Sequence, residues 1–520
     1  MTFDRRSDQR LRSAREALGN CPCAFAVDWR NVLPRHLVAN AHYDVFRDEL
    51  YFIICGMHPA FGYVDQPPLI PLIAAASYKL FGTALTPLRL VPALASAATV
   101  ALAADFARLL GGGRFAQTLA GLCVLFAPAL LAVGVLLSTD CLQPLTWLAC
   151  AWILVRLVDS GDERWWLSFG AVVGISFDSK YLIALYMAAL AVGVVATPLR
   201  RSLARPWLYA GAALALALAL PNVLWQGLHG WPFLEIASAD VGGKSVGRSP
   251  LGLLVQQALF VGPISTLVWL AGLWRLAVRP FRPELRALAI AYVVLLAIVI
   301  VANGKAYYVT PIYPALFAAG GVAWEAWLKR PIARWIVVAV VVVPGLFAAP
   351  TVLPILSPDA LVAYMQAGGL SPKTTQTESG KLSALPQYFA DMFGWREMAA
   401  AVSAVYRDIP PDERAQAVFF APNYGEAAAL DIYGPALGGP PTISGHNSYF
   451  LWGSRGASGE VVITLGREAA DFGRLYEDVR AVGRTDSAYA MPFENGLTIW
   501  VLRHPRAPLA GSWGAFKHYD

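Results

Sequence analysis

The sequence predicts a mostly helical protein that crosses a membrane many times and ends in a small α/β domain. Hydrophobic residues make up 57% of the 520 residues, whereas soluble domains average about 45–50% apolar residues. The mean hydropathy is +0.50. Charged residues make up only 15% of the chain and gather between the apolar runs. After about residue 356 the long apolar runs stop, and a pattern typical of a soluble domain begins.

The first 40 residues are charged and rich in arginine. They contain no apolar run near the roughly 20 residues that a membrane helix needs, and the patch from Cys23 to Val27 is too short for a signal peptide. We therefore predict an atypical charged tail at 1–40. It is either a disordered cytosolic tail or a start from which an expected first helix is missing.

Ten apolar segments are candidate membrane spans, with ends uncertain by several residues. A shorter apolar piece at 68–82 follows Pro67 and Pro68, and we predict that it lies at the membrane interface or re-enters the membrane. The ten candidate spans are 86–110, 115–137, 142–158, 164–178, 181–198, 206–224, 252–274, 285–302, 308–328 and 333–355.

Basic residues lie in alternate connections between these spans, and the positive-inside rule makes those connections cytoplasmic. The opposite connections, including a first loop at 41–85, are then on the outer face. The net charge of +6 reflects this loop asymmetry, so nucleic acid is not an expected partner. The basic residues that define the pattern are Arg108, Arg114, Arg156, Arg164, Arg200, Arg201, Arg205, Arg275, Arg279, Arg282, Arg286, Lys329, Arg330 and Arg334.

The sequence divides into a membrane domain at 41–355 and a soluble domain at 356–520. The soluble domain follows the last outward-going span, so we predict that it is extracytoplasmic. A helical periodicity runs from Arg396 to Arg407. Three short apolar runs are typical of buried strands. They are Ala417 to Ala421, Val461 to Leu465 and Thr498 to Val501.

Acidic residues are dense in the first outer loop. An isolated pair such as Asp48 and Glu49 is often only part of a solvated loop. Asp65 weakens that explanation, because it stands in a Tyr-x-Asp-Gln-Pro-Pro turn whose prolines fix the backbone and the direction of the carboxylate. Two or three carboxylates near one surface can supply a general base or a cation site. A divalent metal therefore stays an open alternative, and no other cofactor is predicted.

Other polar residues fall on the same predicted face, and each also has an ordinary explanation. Asp140 could cap a helix, Lys180 could snorkel to the interface, and His229 could belong to an aromatic belt. Lys305 and Tyr308 stand at the outer mouth of a span. Together these residues place carboxylates, single cations and phenols on one side of the membrane. A lipid-phosphate headgroup needs cations and an acceptor hydroxyl needs a base, so the set favours group transfer from a lipid-linked donor.

Eight stretches of the chain carry motifs of one known family: His42 to Tyr51, Gly62 to Leu69, Leu88 to Leu90, Lys180-Tyr181, Pro221 to Gln226, Tyr308 to Pro314, Asn423 to Ala427 and Gly445 to Tyr449. On these motifs the chain resembles the bacterial family-39 glycosyltransferases, relatives of the protein O-mannosyltransferases and the lipid A aminoarabinose transferase. The resemblance covers about 42–520, and the pairing of the first two motifs is quite specific. In one departure, family members begin with a transmembrane helix that residues 1–40 do not supply.

The resemblance implies a GT-C fold, a polyprenyl-phosphate sugar donor and a catalytic aspartate in the first outer loop, which maps to Asp48, with Glu49 beside it. Asp48 would take the proton from an acceptor hydroxyl while the phosphate leaves and the sugar passes through an oxocarbenium-like state. Lys180, Lys305 or Arg89 would stabilise the departing phosphate. The other residues expected to bind substrate are Asp65, Asp140, His229 and Tyr308.

The predicted function is a glycosyltransferase in the bacterial inner membrane that modifies a lipid, glycan or protein hydroxyl of the cell envelope. A flippase or transporter of lipid-linked sugars is the alternative. A transporter would place ionisable groups near the bilayer midplane, whereas here they cluster at the outer ends of the spans. A membrane anchor that presents the soluble domain is a third possibility, and it leaves Asp48 and Asp65 unexplained.

Overall fold

The computed structural model describes residues 43–243, 249–370 and 383–519, and helices dominate the membrane domain. The predicted tail at 1–40 and His42 of the first motif lie outside the described residues. The helices of the membrane domain are α1 (Arg47–Met57), α2 (Leu69–Phe81), α3 (Leu85–Leu88), α4 (Leu90–Leu109), α5 (Arg114–Phe126), α6 (Pro128–Val133), α7 (Gln143–Ser160), α8 (Trp165–Ser179), α9 (Ile183–Ala196), α10 (Pro206–Leu228), α11 (Pro232–Gly243), α12 (Pro250–Val261), α13 (Pro263–Val278), α14 (Arg286–Val301), α15 (Tyr313–Trp327) and α16 (Pro331–Ala348).

Each of the ten predicted spans contains a helix, and the predicted multi-pass membrane architecture is supported. Fewer than ten of the described helices are individually long and apolar enough to cross a membrane. Within the described ranges four helices qualify by length and composition, or up to six if each bent helix pair counts as one span. The four are Leu90–Leu109, Pro206–Leu228, Pro283–Val301 and Pro331–Thr351. The predicted interfacial piece at 68–82 is the short apolar helix α2.

Two predicted spans are broken at prolines. Pro128 separates α5 from α6 within the span predicted at 115–137. The residue before a proline is pushed out of the helical region, and Ala127 accordingly is extended, with ψ 117°. Helices α12 and α13 meet at an angle of 105°, where Gly262 adopts φ 89° before Pro263. The apolar length of each segment thus predicted helical structure but not its interruption.

Small residues allow two membrane helices to approach closely. A Cβ on Gly170 of α8 would overlap the backbone of Gly211 on α10, and a Cβ on Gly211 would overlap the backbone of Trp166. Such contacts are typical of helix packing in membranes, where van der Waals contact drives association. In contrast, α16 exposes Trp335 (69%) and Phe347 (67%), which suits contact with lipid.

The C-terminal part of the chain forms the predicted small α/β domain. Its five-stranded sheet has the order β2-β1-β3-β5-β4, in which β1 is parallel to both neighbours and β5 is antiparallel to both of its own. The three predicted strands and the predicted helix are confirmed as β1, β3, β5 and α19. The elements are α17 (Pro358–Ala367), α18 (Gln387–Ala390), α19 (Trp395–Asp408), α20 (Pro411–Arg414), β1 (Ala417–Phe420), α21 (Tyr424–Leu437), β2 (Thr442–Ile443), α22 (Asn447–Leu451), β3 (Val461–Leu465), α23 (Ala469–Gly473), β4 (Tyr476–Arg484), β5 (Thr498–Pro505) and α24 (Leu509–Ser512).

The first-loop helix α1 is buried between the membrane domain and the α/β domain. Leu50 and Ile53 of α1 are fully enclosed, and they share one hydrophobic cluster with Val402 of α19 and Leu430 of α21. An apolar side chain of this kind contributes about 1.5–3 kcal/mol when it is removed from water. The α/β domain therefore holds α1 in place, and the polar residues at the start of α1 lie at the junction of the two domains.

Candidate active site

Glu49 and Arg89 form a buried ion pair at the start of α1. The side chain of Glu49 is 0% exposed and that of Arg89 is 3% exposed. Arg89 donates from Nε to Oε1 at 3.0 Å and from a terminal nitrogen to Oε2 at 2.8 Å. Glu49 also accepts from the backbone N–H groups of Phe46 and Leu137, each at 3.0 Å. These bonds tie the first loop to the membrane helices, and they enclose both side chains.

Asp48 is the more accessible carboxylate at the start of α1. Its side chain is 34% exposed. Oδ1 accepts from Arg47 Nε at 3.2 Å and from the hydroxyl of Tyr424 at 2.9 Å. Tyr424 begins helix α21 of the α/β domain. The carboxylate thus has one neighbouring cation and one phenol, and it still faces open space in which an acceptor hydroxyl could lie.

Asp65 is half-buried in the turn that precedes α2, and it accepts at Oδ1 from the hydroxyl of Tyr51 at 3.0 Å. Burial raises the pKa of Asp65 from 3.8 to about 7, and the negative charge of Asp48 adds to that rise. The hydrogen bond from Tyr51 acts in the opposite direction, because it stabilises the charged form. Asp48 and Asp65 therefore belong to one electrostatic site.

The α/β domain closes this site through residues that sequence reasoning did not single out. The rings of Tyr51 and Tyr424 lie 4.6 Å apart. The hydroxyl of Tyr51 accepts from Ser448 N at 3.1 Å, and Val64 N donates to the Ser448 hydroxyl at 3.2 Å. Tyr424 N donates to His446 Nδ1 at 3.2 Å. The signal was present in the sequence, because all five of these residues lie in motifs that match the resembled family.

Asp140 and Lys180 form a second polar group with two tyrosines. Lys180 Nζ lies 2.6 Å from Asp140 Oδ2, and it faces the rings of Tyr307 and Tyr308 at 5.4 and 5.6 Å from their centroids. The side chain of Asp140 makes no cap at the start of α7, where Leu142 occupies the N-cap position. Three residues predicted to bind substrate, Asp140, Lys180 and Tyr308, are thus brought together.

Gln226 of α10 joins the two groups. Its Nε2 donates to the backbone oxygen of Tyr63 at 2.9 Å and to the hydroxyl of Tyr181 at 3.1 Å. Tyr63 belongs to the Asp65 turn, and Tyr181 directly follows Lys180. One side chain thus links the turn that carries Asp65 to the residue that follows Lys180.

His229 and Lys305 lie at the edges of this arrangement. His229 is exposed and stacks on Trp225 with 4.0 Å between ring centroids, while its Nδ1 lies 2.8 Å from the Trp225 oxygen. That geometry fits the aromatic belt that was the ordinary explanation for His229. Lys305 precedes the 3₁₀ helix Ala306–Ile312, which carries Tyr307 and Tyr308.

The described parts of the chain bring together no group of three or more histidine, cysteine, aspartate or glutamate side chains with the arrangement of metal ligands. The donor atoms that do converge, at Asp48 and Asp65, are held by Arg47 and by two tyrosine hydroxyls. Asp48 can supply proton transfer, and Lys180 of the second polar group is a cation that can bind an anionic group.

Comparisons with known proteins found a matching family model and similar solved structures. Residues 65–225 match the family model described as dolichyl-phosphate-mannose-protein mannosyltransferase. The crystal structure of ArnT from Cupriavidus metallidurans in the apo state is similar with a TM-score of 0.60 at 13% identity, covering 93% of this chain and 98% of that one. The structure of that ArnT bound to undecaprenyl phosphate is similar with a TM-score of 0.57 at 15% identity, covering 92% and 98%. None of the curated protein sequences matches this chain.

The structural similarity shows the fold, which is that of ArnT along nearly the whole chain. The predicted fold class, mostly helical with a small C-terminal α/β domain, is thereby confirmed. The resemblance inferred from the motifs is confirmed by the family match over residues 65–225, and the structural match confirms the fold.

Proposed function

We propose that this chain is a membrane glycosyltransferase that moves a sugar from a polyprenyl-phosphate donor to a hydroxyl group of a cell-envelope acceptor. The single observation that carries the proposal is the accessible carboxylate of Asp48, which is held by Arg47 and Tyr424 in one site with Asp65. The mannosyltransferase family match over 65–225 and the similar ArnT structure bound to undecaprenyl phosphate support it.

Asp48 acts as the general base in this proposal. The acceptor hydroxyl gives its proton to Asp48 while its oxygen bonds to the anomeric carbon of the sugar. The bond between that carbon and the phosphate oxygen breaks, and the polyprenyl phosphate leaves with the electron pair. A positioned base contributes about 10²–10⁴-fold to such a rate. Asp65, with its raised pKa, holds Tyr51 and shapes the pocket.

Lys180 receives the phosphate. Its ammonium group is half-buried beside Asp140 and two tyrosine rings, so it is already desolvated on one side. A charged donor in such surroundings stabilises a developing phosphate charge more strongly than one in water. Tyr307 and Tyr308 limit the space around the ammonium group, and they confine the phosphate to its open side.

Glu49 and Arg89 take a positioning role in this scheme rather than the catalytic and substrate-binding roles that the motif suggests. Both groups are enclosed, and the oxygens of Glu49 accept four hydrogen bonds. The pair fixes the start of α1, on which the neighbouring Asp48 stands. His229 and Lys305 remain candidates for contacts with the outer parts of the substrate.

The site is proposed to lie on the outer face of the bacterial inner membrane, with the domain at 356–520 in the periplasm. The alternation of basic connections supports this orientation. The acceptor is a lipid, glycan or protein hydroxyl, and the sugar is a hexose or pentose. A flippase is the second candidate, but the carboxylates stand at the first loop rather than inside broken helices, where a transporter binds its cargo.

Transfer in reconstituted membranes tests the proposal. The purified protein would be incorporated into vesicles with cell-envelope extract and radiolabelled sugar linked to undecaprenyl phosphate, and label in the envelope fraction would be measured. Transfer that needs the lipid-linked donor is the expected result. Transfer from a free nucleotide sugar alone, or flipping of the labelled lipid without loss of its sugar, would contradict the proposal.

A further inference from the structure

The α/β domain places a short turn, from Asn423 to Glu426, directly against the residue that precedes Asp48. A Cβ on Gly425 would lie 2.6 Å from Cγ and 3.0 Å from Cδ of Arg47. Real Cβ atoms do not approach other atoms so closely, and these atoms are in the middle of the Arg47 side chain rather than at its end. Only glycine at position 425 therefore leaves room for the observed path of Arg47.

Arg47 is held from three directions. Its backbone N–H donates to the Asp391 oxygen at 3.1 Å. Its guanidinium carbon lies 5.5 Å from the centroid of the Tyr424 ring, and its Nε donates to Asp48 at 3.2 Å. Because the hydroxyl of Tyr424 donates to the same Asp48 oxygen, the turn of the α/β domain and Arg47 together set the direction of that carboxylate.

A pair of carboxyl groups lies behind this turn. The side-chain oxygen of Asn423 accepts a hydrogen bond from Glu426 N at 3.0 Å and so caps helix α21. The Nδ2 atom of Asn423 donates to Glu494 Oε1 at 3.0 Å. Glu426 is 2% exposed, and its Oε2 has no hydrogen-bond donor among the described residues. Two interacting buried carboxyl groups do not readily ionise together, so at least one of them carries a proton.

The carboxyl pair is close enough to Arg47 to feel its positive charge. Burial raises the pKa of Glu426 well above its ordinary value, and burial raises that of Glu494 to about 7. The positive charge of Arg47 lowers the pKa of Glu494, and the charge of Asp391 raises it. Glu426 therefore holds its proton more tightly, and Glu494 is the member that becomes an anion near the guanidinium group as pH rises through about 7.

We infer that Gly425 and Glu494 of the α/β domain are positioning residues for the proposed transfer reaction, acting through Arg47 on Asp48. The inference rests on the proposed function, because it assigns a role in the same reaction. The C-terminal domain then contributes to the geometry of the active site. The orientation of Asp48 depends on Tyr424, which lies 376 residues further along the chain.

Gly425→Ala is the first test, with Gly473→Ala as its control. Gly473 also lies in a helix of the α/β domain, but a Cβ there would meet nothing within 4 Å. A displacement of the base by about 1 Å costs up to 10²-fold in rate. We expect kcat to fall roughly 10- to 100-fold in Gly425→Ala while the donor KM stays within about threefold of the parent value. Gly473→Ala should behave as the parent does.

Glu494→Gln is the second test. Because it keeps the size of the side chain, it remains usable if Gly425→Ala does not fold. Its control is Glu477→Gln, which changes an exposed glutamate of the same domain. Without the negative charge of Glu494, the guanidinium group of Arg47 loses one electrostatic attraction that orients it. The acid limb of the kcat–pH profile should therefore move towards higher pH, because a base with a less well placed cation holds its proton more tightly. A purely structural defect would lower the yield of folded protein without moving that limb.

The outcomes separate the two proposals. A folded parent that transfers no sugar from the polyprenyl-phosphate donor overturns the proposed function, and this inference with it. A parent that transfers sugar, combined with Gly425→Ala or Glu494→Gln variants that fold and match the parent in kcat and in pH profile, overturns the positioning role alone.

Discussion

The rings of Tyr51 and Tyr424 lie 4.6 Å apart, and each hydroxyl is bonded to a different carboxylate, Asp65 and Asp48 respectively. Tyr51 comes from the first loop and Tyr424 from the α/β domain. This pairing explains why the two acidic motifs lie in one site although neither carboxylate contacts the other directly. It also means that the α/β domain cannot move away without changing the surroundings of Asp48.

The raised pKa of Asp65 predicts how stability depends on pH. The folded protein holds this proton more tightly than the unfolded chain does, so the contribution to stability is fully present below 3.8 and is lost as pH rises through about 7. Asp65→Asn carries no such proton. The melting temperature of the detergent-solubilised parent should therefore fall, relative to that of Asp65→Asn, as pH rises across this range. A constant difference between the two proteins would contradict the burial of Asp65.

The buried pair of Glu49 and Arg89 predicts a large stability effect. Glu49→Ala leaves an uncompensated cation, which typically costs about 3–5 kcal/mol. The exposed pair of Glu477 and Arg506 is the control, because Glu477→Ala should cost only about 0–1 kcal/mol. Thermal unfolding in detergent measures both. The double variant Glu49→Leu with Arg89→Met should recover much of the loss, and failure to recover would point to a role beyond anchoring.

Sequence reasoning predicted the helical membrane domain, the three strands and the acidic first loop, because apolar length and alternation are local signals. It identified Asp140 and Lys180 separately but could not place Lys180 2.6 Å from Asp140, since that contact depends on how α7 and α8 pack. It paired Glu49 with Asp48 as a catalytic residue, which stays a prediction, and it could not foresee that Glu49 is enclosed with Arg89, because successive residues of a helix point in different directions. It placed Tyr424 in a family motif but did not assign it to the site, because a contact across 376 residues cannot be read from a local pattern.

Lys180 is expected to determine affinity for the lipid donor. A hydrogen bond to a charged group is worth about 1.5–3 kcal/mol, so Lys180→Met should raise the donor KM roughly 10- to 100-fold. Lys180→Arg should retain most of the affinity. The control is Lys517→Met, which breaks a similar 2.7 Å pair with Glu235 at an exposed position. A donor KM that does not change in Lys180→Met would remove Lys180 from the phosphate site.

The orientation of the chain is testable independently of activity. A reporter enzyme that works only in the cytoplasm, fused after Asp520, should be inactive because the α/β domain is predicted to be outside. A periplasm-specific reporter at the same position should be active, and a fusion after Lys329 should give the reverse pattern. An active cytoplasmic reporter after Asp520 would overturn the orientation and the use of an outward-facing lipid donor.

The central claim is that Asp48 is the base, and single-site replacement tests it most directly. Asp48→Asn keeps the size of the side chain and its bond from Tyr424 but removes the basicity. Its control is Asp159→Asn, because Asp159 is 32% exposed and paired with Arg282, much as Asp48 is 34% exposed and paired with Arg47.

Sugar transfer from the undecaprenyl-phosphate donor is measured in vesicles after membrane insertion is verified. We expect Asp48→Asn to lose about 10²–10⁴-fold in kcat and still bind the donor, while Asp159→Asn matches the parent. An inserted Asp48→Asn protein that transfers sugar at the parent rate would contradict the assignment.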